Sequence, residues 1–151
     1  MIIGLIPSRL NSTRLKKKPL LEINNLPIIV HTFKRASLSK KLNELIVCTD
    51  SKEIQNVVKK NGGNCIITSK KHKNGTERIN EVANKIKCKL VIDIQGDEPL
   101  LDPTHIDKVI DFHLKNYEFD IVLPTLKFKN PDQKNIVKVV SNKNNQVMYL
   151  S

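Results

Sequence analysis

Short apolar runs alternate along this 151-residue chain with longer segments in which apolar residues recur every three or four positions. The pattern predicts strands at residues 2–6, 44–48, 64–67, 90–94 and 121–123, and helices over 27–38 and onward from residues near 51, 74 and 102. Strands that alternate with helices of about ten residues imply right-handed crossovers and a mostly parallel sheet. The predicted fold class is therefore α/β, a doubly wound sheet with helices on both faces.

Local turn and capping residues support these boundaries. The predicted helix starts are Pro27, Asp50 or Ser51, the pair Asn74 and Glu77 in a capping-box spacing, and Asp102 before Pro103. Residues 136–141 and 146–150 alternate apolar and polar side chains around an asparagine-rich turn, which predicts a closing β-hairpin. The chain stops within that strand pattern, so we expect residues 1–151 to be the N-terminal portion of one longer domain.

Charge and apolar length limit the classes of partner. Twenty-six Lys and Arg against fifteen Asp and Glu give a formal net charge of +11, which favours anionic partners. The apolar runs are far shorter than the roughly 20 residues of a membrane helix. Pro7 and Arg9 interrupt the opening run before a signal peptide could form. We therefore expect a cytoplasmic protein without a membrane partner, whose three cysteines are reduced thiols.

Two segments place chemistry at the ends of predicted strands. The first strand runs into a cationic loop that contains Arg9, Arg14 and Lys18. The strand at 90–94 runs into a turn with Asp97 and Glu98, a position that suits a hard cation such as Mg²⁺. Ligands of open α/β sheets bind beyond the carboxyl ends of the strands. The two segments therefore predict one site for a polyanion, with triphosphate as the first candidate, although neither common glycine-rich phosphate motif is present.

Six motifs, taken together, identify a family. The first is the loop with Pro7-Ser8-Arg9, Ser12-Thr13-Arg14-Leu15 and Lys18-Pro19-Leu20; the others are Pro27-x-Ile29-Val30-His31, Thr49-Asp50, Gly75-Thr76-Glu77-Arg78, Gln95-Gly96-Asp97-Glu98-Pro99 and Val137-Lys138-Val139-Val140. In order and spacing the chain resembles the 3-deoxy-manno-octulosonate cytidylyltransferases, or CMP-Kdo synthetases, from end to end. The resemblance implies a nucleotide-diphospho-sugar transferase fold. It also implies a longer protein, because Tyr149-Leu150-Ser151 matches an internal strand of the family.

The resemblance implies a reaction and its components. CMP is transferred from CTP to 3-deoxy-D-manno-octulosonate (Kdo), which gives pyrophosphate and CMP-Kdo for lipopolysaccharide synthesis. Mg²⁺ is the implied cofactor, and the full-length family is expected to be homodimeric. The second metal-binding aspartate and the main sugar-binding residues of the family lie beyond Ser151. We therefore expect the 151 residues alone to bind CTP weakly and to be weakly active or inactive.

The resemblance also assigns residues. The expected catalytic residues are Arg9 and Lys18, which would grip the phosphates, and Asp97, which would bind Mg²⁺; the expected substrate-binding residues are Ser8, Arg14, Thr76, Arg78 and Gln95. Arg78 would lie in the first turn of a helix, where a cation opposes the helix dipole, and this favours a functional role. The family has Pro-Gly where this chain has Lys16-Lys17, so a residue that disfavours positive φ replaces glycine.

Three other interpretations stay open. A related cytidylyltransferase that acts on another acidic sugar, such as an amino-Kdo or a sialic-type acid, would share these motifs. A non-catalytic fragment would keep the fold without the activity. A basic RNA-binding module would use the net charge, but only 4% of the residues are aromatic and none is tryptophan. Stacking platforms for bases are therefore scarce, and we expect no nucleic-acid partner.

Overall fold

The computed structural model describes residues 1–10, 15–127 and 136–151. They form two compact units, Met1–Asn116 and Tyr117–Ser151, here called unit 1 and unit 2. The elements of unit 1 are β1 (Ile2–Ser8), β2 (Glu22–Ile23), β3 (Leu26–Pro27), α1 (Ile28–Ala36), β4 (Glu44–Thr49), α2 (Lys52–Lys60), β5 (Asn64–Ile67), α3 (Gly75–Ala83), β6 (Leu90–Asp93) and α4 (Pro103–Lys115). The prediction of a single domain stays a prediction.

Unit 1 is built on a four-stranded parallel sheet of order β5-β4-β1-β6. Strand β1 lies inside the sheet and pairs with both β4 and β6, so that Leu5 is opposite Ile46 on one side and Asp93 on the other. The carboxyl ends of all four strands therefore point to the same edge. A separate two-stranded antiparallel ribbon joins β2 and β3. The predicted parallel α/β sheet is confirmed.

Two apolar clusters lie on opposite faces of this sheet. Residues of β1 alternate between them, because successive side chains of a strand point to opposite faces. Ile6 packs with residues of α1, α2 and α4, including Ile29, Ile54 and Ile110. Ile3 and Leu5 pack on the other face, in the cluster that contains the α3 residues Ile79 and Val82. Helices cover both faces, as the alternating sequence pattern predicts.

The predicted capping residues begin the helices that follow β4, β5 and β6. The Ser51 hydroxyl accepts a hydrogen bond from the Ile54 amide at 3.3 Å, which decides between the two candidates for the cap of α2. The Asn74 side chain accepts from the Glu77 amide at 2.9 Å. In return the Glu77 carboxylate accepts from the backbone amide of Lys73 at 2.8 Å instead of that of Asn74, whose side-chain amide donates to it at 3.2 Å, so the capping box is modified by one residue.

Unit 2 contains the hairpin β7 (Val139–Ser141) and β8 (Val147–Leu150), which pair antiparallel with a register shift after Val140. The predicted closing hairpin is confirmed, with shorter strands. The strand predicted at 121–123 is wrong, since these residues are not in a strand and Ile121 is 85% exposed. The run has only three residues before Pro124, which lacks the N–H group that a ladder needs.

The three cysteines are free thiols, as predicted. Burial raises the pKa of Cys48 to about 12 and that of Cys65 to about 11. These two thiols, on the adjacent strands β4 and β5, are therefore protonated at neutral pH and pack as small apolar groups. In the parts of the chain that the structure describes, no helix has the length and apolar content needed to cross a membrane.

Candidate active site

A cavity of about 710 Å³, here called the main cavity, opens at the carboxyl ends of β1 and β6. Six of the predicted site residues line it: Ser8, Arg9, Lys18, Arg78, Gln95 and Asp97. Thr76 is not among its lining residues although its neighbour Gly75 is. Arg14 lies outside the described residues. The two segments that were predicted from the sequence to share a site are thus brought together by the adjacency of β1 and β6.

Gly96 allows the turn after β6 to approach β1. A Cβ atom at Gly96 would lie 2.9 Å from the carbonyl oxygen of Pro7 and 3.3 Å from Cγ2 of Ile6. The Thr32 hydroxyl, on buried α1, donates to the Gly96 carbonyl at 3.3 Å. The neighbouring Asp97 is therefore placed at the cavity by a backbone contact that only glycine permits.

Lys18 and Asp97 form an ion pair inside the main cavity. Lys18 Nζ lies 2.5 Å from Asp97 Oδ2, and the two side chains are 39% and 46% exposed. Exposed pairs contribute little to stability, because water screens both charges. Both groups can therefore exchange partners at low cost. An incoming phosphate would accept hydrogen bonds from the ammonium group, and an incoming cation would take the carboxylate.

Lys17 occupies the left-handed conformation that the resemblance assigns to a glycine. Its φ is 52° and its ψ is 29°, just before the 3-10 turn Lys18–Leu20. Lys17 Nζ also contacts both carboxylate oxygens of Glu53 on α2 at 3.0 Å. The residue before Lys18 is thus left-handed, although lysine disfavours that conformation and glycine does not.

Arg78 is buried, with only 3% of its surface exposed. Its Nη2 atom lies 2.9 Å from Asp50 Oδ2. Its Nη1 atom donates to the Thr68 hydroxyl and, at 3.4 Å, to the Ser69 carbonyl. The charge that the sequence places in the first turn of α3 is therefore neutralised by protein groups. The position of Arg78 in the helix did not predict these internal partners.

A second cavity of about 600 Å³ adjoins this arginine. It shares Arg9, His72 and Arg78 with the main cavity. Lys52 and Lys70 also line it. Lysines thus lie at the edge of the sheet toward the start of α2, and the Asp50 carboxylate, which pairs with Arg78, also lines this cavity.

His72 also lines both cavities, and its position depends on Glu81 of α3. His72 Nε2 lies 2.6 Å from Glu81 Oε2. The same carboxylate accepts from Lys85 Nζ at 2.7 Å and from the Ser69 amide at 2.8 Å. The Lys85 bond, followed by those of Ser69 and His72, lowers the pKa of Glu81 from 4.5 to about 2. Glu81 was not among the site residues predicted from the sequence.

We expect Glu81→Gln to reduce acid sensitivity. Because folding lowers the pKa of Glu81 from 4.5 to about 2, its contribution to stability is complete above pH 4.5 and is lost as pH falls toward 2. The variant should be less stable than wild type at neutral pH, and the difference in their free energies of unfolding should become smaller as pH falls from 4.5 toward 2. Urea unfolding of both proteins at several pH values measures this difference. Glu53→Gln, at an exposed glutamate, is the control, and a constant difference would contradict the assignment.

The site can offer a divalent cation one carboxylate. Asp97 is exposed at the cavity and its only described ion-pair partner is Lys18. Among the described residues, no group of three or more His, Cys, Asp and Glu side chains converges on a common point. Mg²⁺ commonly binds through one or two carboxylates and completes its shell with water and phosphate oxygens. The residues present therefore fit a magnesium ion that arrives with a phosphate ligand.

Known proteins that are similar to this chain are cytidylyltransferases by name. A family model described as cytidylyltransferase matches residues 3–151. The 3-deoxy-manno-octulosonate cytidylyltransferase of Thermodesulfovibrio yellowstonii is 40% identical over 99% of this chain and 62% of its own length. The 8-amino-3,8-dideoxy-manno-octulosonate cytidylyltransferase of Shewanella baltica is also 40% identical, over 97% of this chain and 63% of its own length. The chain thus spans less than two thirds of these relatives.

Solved structures give the same result. A CMP:2-keto-3-deoxy-manno-octonic acid synthetase complexed with CTP matches 99% of this chain and 63% of that one, with a TM-score of 0.86 and 31% identity. A nucleotidyl transferase from Methanothermobacter matches 74% of this chain with a TM-score of 0.63 at 18% identity, which shows the shared fold. The predicted nucleotidyltransferase fold is confirmed, and the chain belongs to the cytidylyltransferase family.

Proposed function

We propose that this chain carries the nucleotide-binding part of an enzyme that transfers CMP from CTP to Kdo. The observation that carries the proposal is the joint placement of Arg9, Lys18 and Asp97 around one cavity at the edge of the sheet. The names of the relatives and the CTP bound to the similar synthetase support it. Two cations and a carboxylate are the groups that a metal-dependent reaction of a triphosphate requires.

The proposed chemistry is an in-line substitution at phosphorus. The acceptor hydroxyl attacks the α-phosphorus of CTP, its bond to phosphorus forms as the bond to pyrophosphate breaks, and the hydroxyl proton passes to solvent water. Charge accumulates on the leaving pyrophosphate, so fixed cations lower the barrier. We assign Arg9 and Lys18 to the triphosphate oxygens. Lys18 would leave Asp97 and turn its ammonium group to a phosphate.

Asp97 is the proposed magnesium ligand. When bound, Mg²⁺ would neutralise phosphate charge and orient the triphosphate beside the acceptor. Asp97 would present its carboxylate after Lys18 has moved, while the backbone contact at Gly96 keeps the turn in place. Binding of triphosphate and of metal are thus expected to favour each other.

The other assignments concern the substrates. The Ser8 hydroxyl is buried and has no hydrogen-bond partner among the described side chains and backbone, so it can bind a polar atom of the nucleotide. Gln95 is exposed at the same cavity. Thr76 and Arg14 remain assigned by resemblance, as do the homodimer, the role in lipopolysaccharide synthesis and the cytoplasmic location. Arg78, whose guanidinium already has protein partners, is considered separately below.

We expect the purified chain to bind CTP more tightly than ATP in the presence of Mg²⁺. Titration calorimetry with each nucleotide, at a chain concentration high enough for weak binding, measures the preference. Circular dichroism establishes that the sample is folded. A folded chain that binds neither nucleotide, or both equally, would contradict the proposed function. Steep salt dependence without nucleotide preference would instead support a nucleic-acid-binding module.

The name of the Shewanella relative favours one second candidate, an 8-amino-3,8-dideoxy sugar as acceptor. Both candidates share the proposed CTP site and differ in the acceptor alone. Because the main sugar-binding residues are expected beyond Ser151, the comparison is made with the enzyme that includes them: with CTP and Mg²⁺ bound, it is titrated by calorimetry with Kdo and with its 8-amino analogue. Tighter binding of the amino sugar would replace Kdo in the proposal and leave the nucleotide assignment unchanged.

A further inference from the structure

We propose that Asp50 is a positioning residue of the site, which acts through Arg78. It holds the start of α3 in place relative to the segment that carries Arg9. The inference rests on the proposed function for its effect on nucleotide binding. Its structural part, a link between two walls of the main cavity, is independent of any ligand.

Asp50 lies at the carboxyl end of β4, directly after Thr49. Its Oδ2 atom accepts from Arg78 Nη2 at 2.9 Å, and its Oδ1 atom accepts from the backbone amide of Leu10 at 3.4 Å. The helix that follows is capped by Ser51, so the carboxylate of Asp50 is not used as a cap. Its two oxygens instead join α3 to the residue next to Arg9.

Arg78 completes the link on its other side. Its second terminal nitrogen donates to Thr68 and Ser69, just after β5. One guanidinium thus ties α3 to the ends of two strands. The Asp50 side chain is 19% exposed and that of Arg78 is 4% exposed, so water screens this pair far less than it screens Lys18 and Asp97.

Both linked segments line the main cavity. Asn74 and Gly75 at the start of α3 line it, and so does Arg9. The start of α3 is packed closely on β1, since a Cβ at Gly75 would lie 3.1 Å from Pro7 Cγ. A small displacement of α3 therefore changes the width of the cavity next to Arg9. Asp50 lines the second cavity and not the main one, so it acts on the main cavity through Arg78.

Arg78 then has a positioning role instead of a contact with the substrate. If Arg78 acts by holding α3, its loss and the loss of Asp50 break the same link, and their effects on CTP affinity should not add. If Arg78 instead touches the nucleotide independently of Asp50, its loss should weaken binding further in a protein that already lacks Asp50. The two roles are therefore separable by one double-variant cycle.

The first test needs no nucleotide. Hydrogen exchange is measured on the ligand-free chain for the Leu10 and Glu77 amides, which lie on either side of the link. We expect Asp50→Ala to speed exchange at both amides by about tenfold, as loss of a charge-assisted hydrogen bond implies. Asp107→Ala is the matched control, because Asp107 similarly accepts from the backbone amides of Lys40 and Lys41 away from the cavity. It should leave both amides unchanged.

The second test is CTP affinity with Mg²⁺ for wild type, Asp50→Ala, Arg78→Gln and the double variant. We expect a loss of about tenfold in each single variant and no further loss in the double variant. Additive losses would overturn the positioning role, and so would unchanged exchange at Leu10 and Glu77 in folded Asp50→Ala. If Asp50→Ala does not fold, the double variant, which has no unpaired guanidinium, is used for the exchange test. A wild type that binds no CTP contradicts the proposed function alone, since exchange still decides the link.

Discussion

Asp97→Ala is expected to abolish the part of CTP binding that depends on Mg²⁺. Asp97 is the proposed metal ligand, and without it the metal retains only the ligand's phosphates and water. We expect the affinity for CTP in the presence of Mg²⁺ to fall on the order of a hundredfold, or about 2.8 kcal/mol. Titration calorimetry with and without Mg²⁺ measures this difference. The fold should be unaffected, because the side chain of Asp97 is 46% exposed.

A matched control is available on α4. Asp111 forms an ion pair with Lys41 at 2.7 Å, and the two side chains are 47% and 40% exposed, much as in the pair of Asp97 and Lys18. Asp111→Ala removes the same charge from unit 1 without touching the main cavity, so CTP affinity should not change. Equal losses of CTP affinity in the two variants would mean that the change in the protein's net charge, and not the loss of a metal ligand, explains the effect.

Because Asp97 pairs with Lys18, the effect of Asp97→Ala on CTP affinity should differ when Mg²⁺ is absent. Without Mg²⁺, Asp97 competes with phosphate for the ammonium group of Lys18, which it contacts at 2.5 Å. Removal of the carboxylate frees Lys18 and removes a negative charge near the phosphates. Asp97→Ala should therefore bind CTP at least as tightly as wild type when Mg²⁺ is absent. A loss of affinity under both conditions would contradict the proposed exchange of partners.

The edge of the sheet could be predicted from the sequence because the signals there are local. The apolar run that becomes β1 ends before Arg9, and the run that becomes β6 ends before Asp97. Parallel strands with helical crossovers place such ends at one edge whatever the strand order. The pairing of β1 with β6, by contrast, joins residues that are far apart in the sequence. It decides that Lys18 and Asp97 come within hydrogen-bond distance.

The role of Arg78 could not be predicted in the same way. Its position in the first turn of α3 indicated a functional cation, whereas the structure pairs it with the carboxylate of Asp50 and gives it a hydrogen bond to the Thr68 hydroxyl. Pairing of this kind depends on which strand ends are adjacent, because β4 and β5 bring these two residues to α3. The local pattern was informative about helix capping and uninformative about the buried partner.

Gly96→Ala is expected to be the most destabilising single methyl addition at the site. The added carbon would lie 2.9 Å from the Pro7 carbonyl oxygen, a backbone atom of the paired strand β1 that cannot rotate away. Ile29 and Ile6, both fully buried, close the other sides. The turn after β6 must therefore shift. We expect the free energy of unfolding of unit 1 to fall by about 1–3 kcal/mol, the usual cost of overpacking.

The same shift should reach the chemistry, because Asp97 is the next residue and depends on that turn. Urea unfolding measures the loss of stability, and calorimetry should show weaker CTP binding with Mg²⁺ in the folded variant. Gly75→Ala is the comparison: its added methyl lies 3.1 Å from Pro7 Cγ, a side-chain atom, in a first helical turn where alanine is favoured over glycine. Its loss of stability should be smaller. If the two variants are equally stable, the contact between Gly96 and β1 does not hold Asp97 in place.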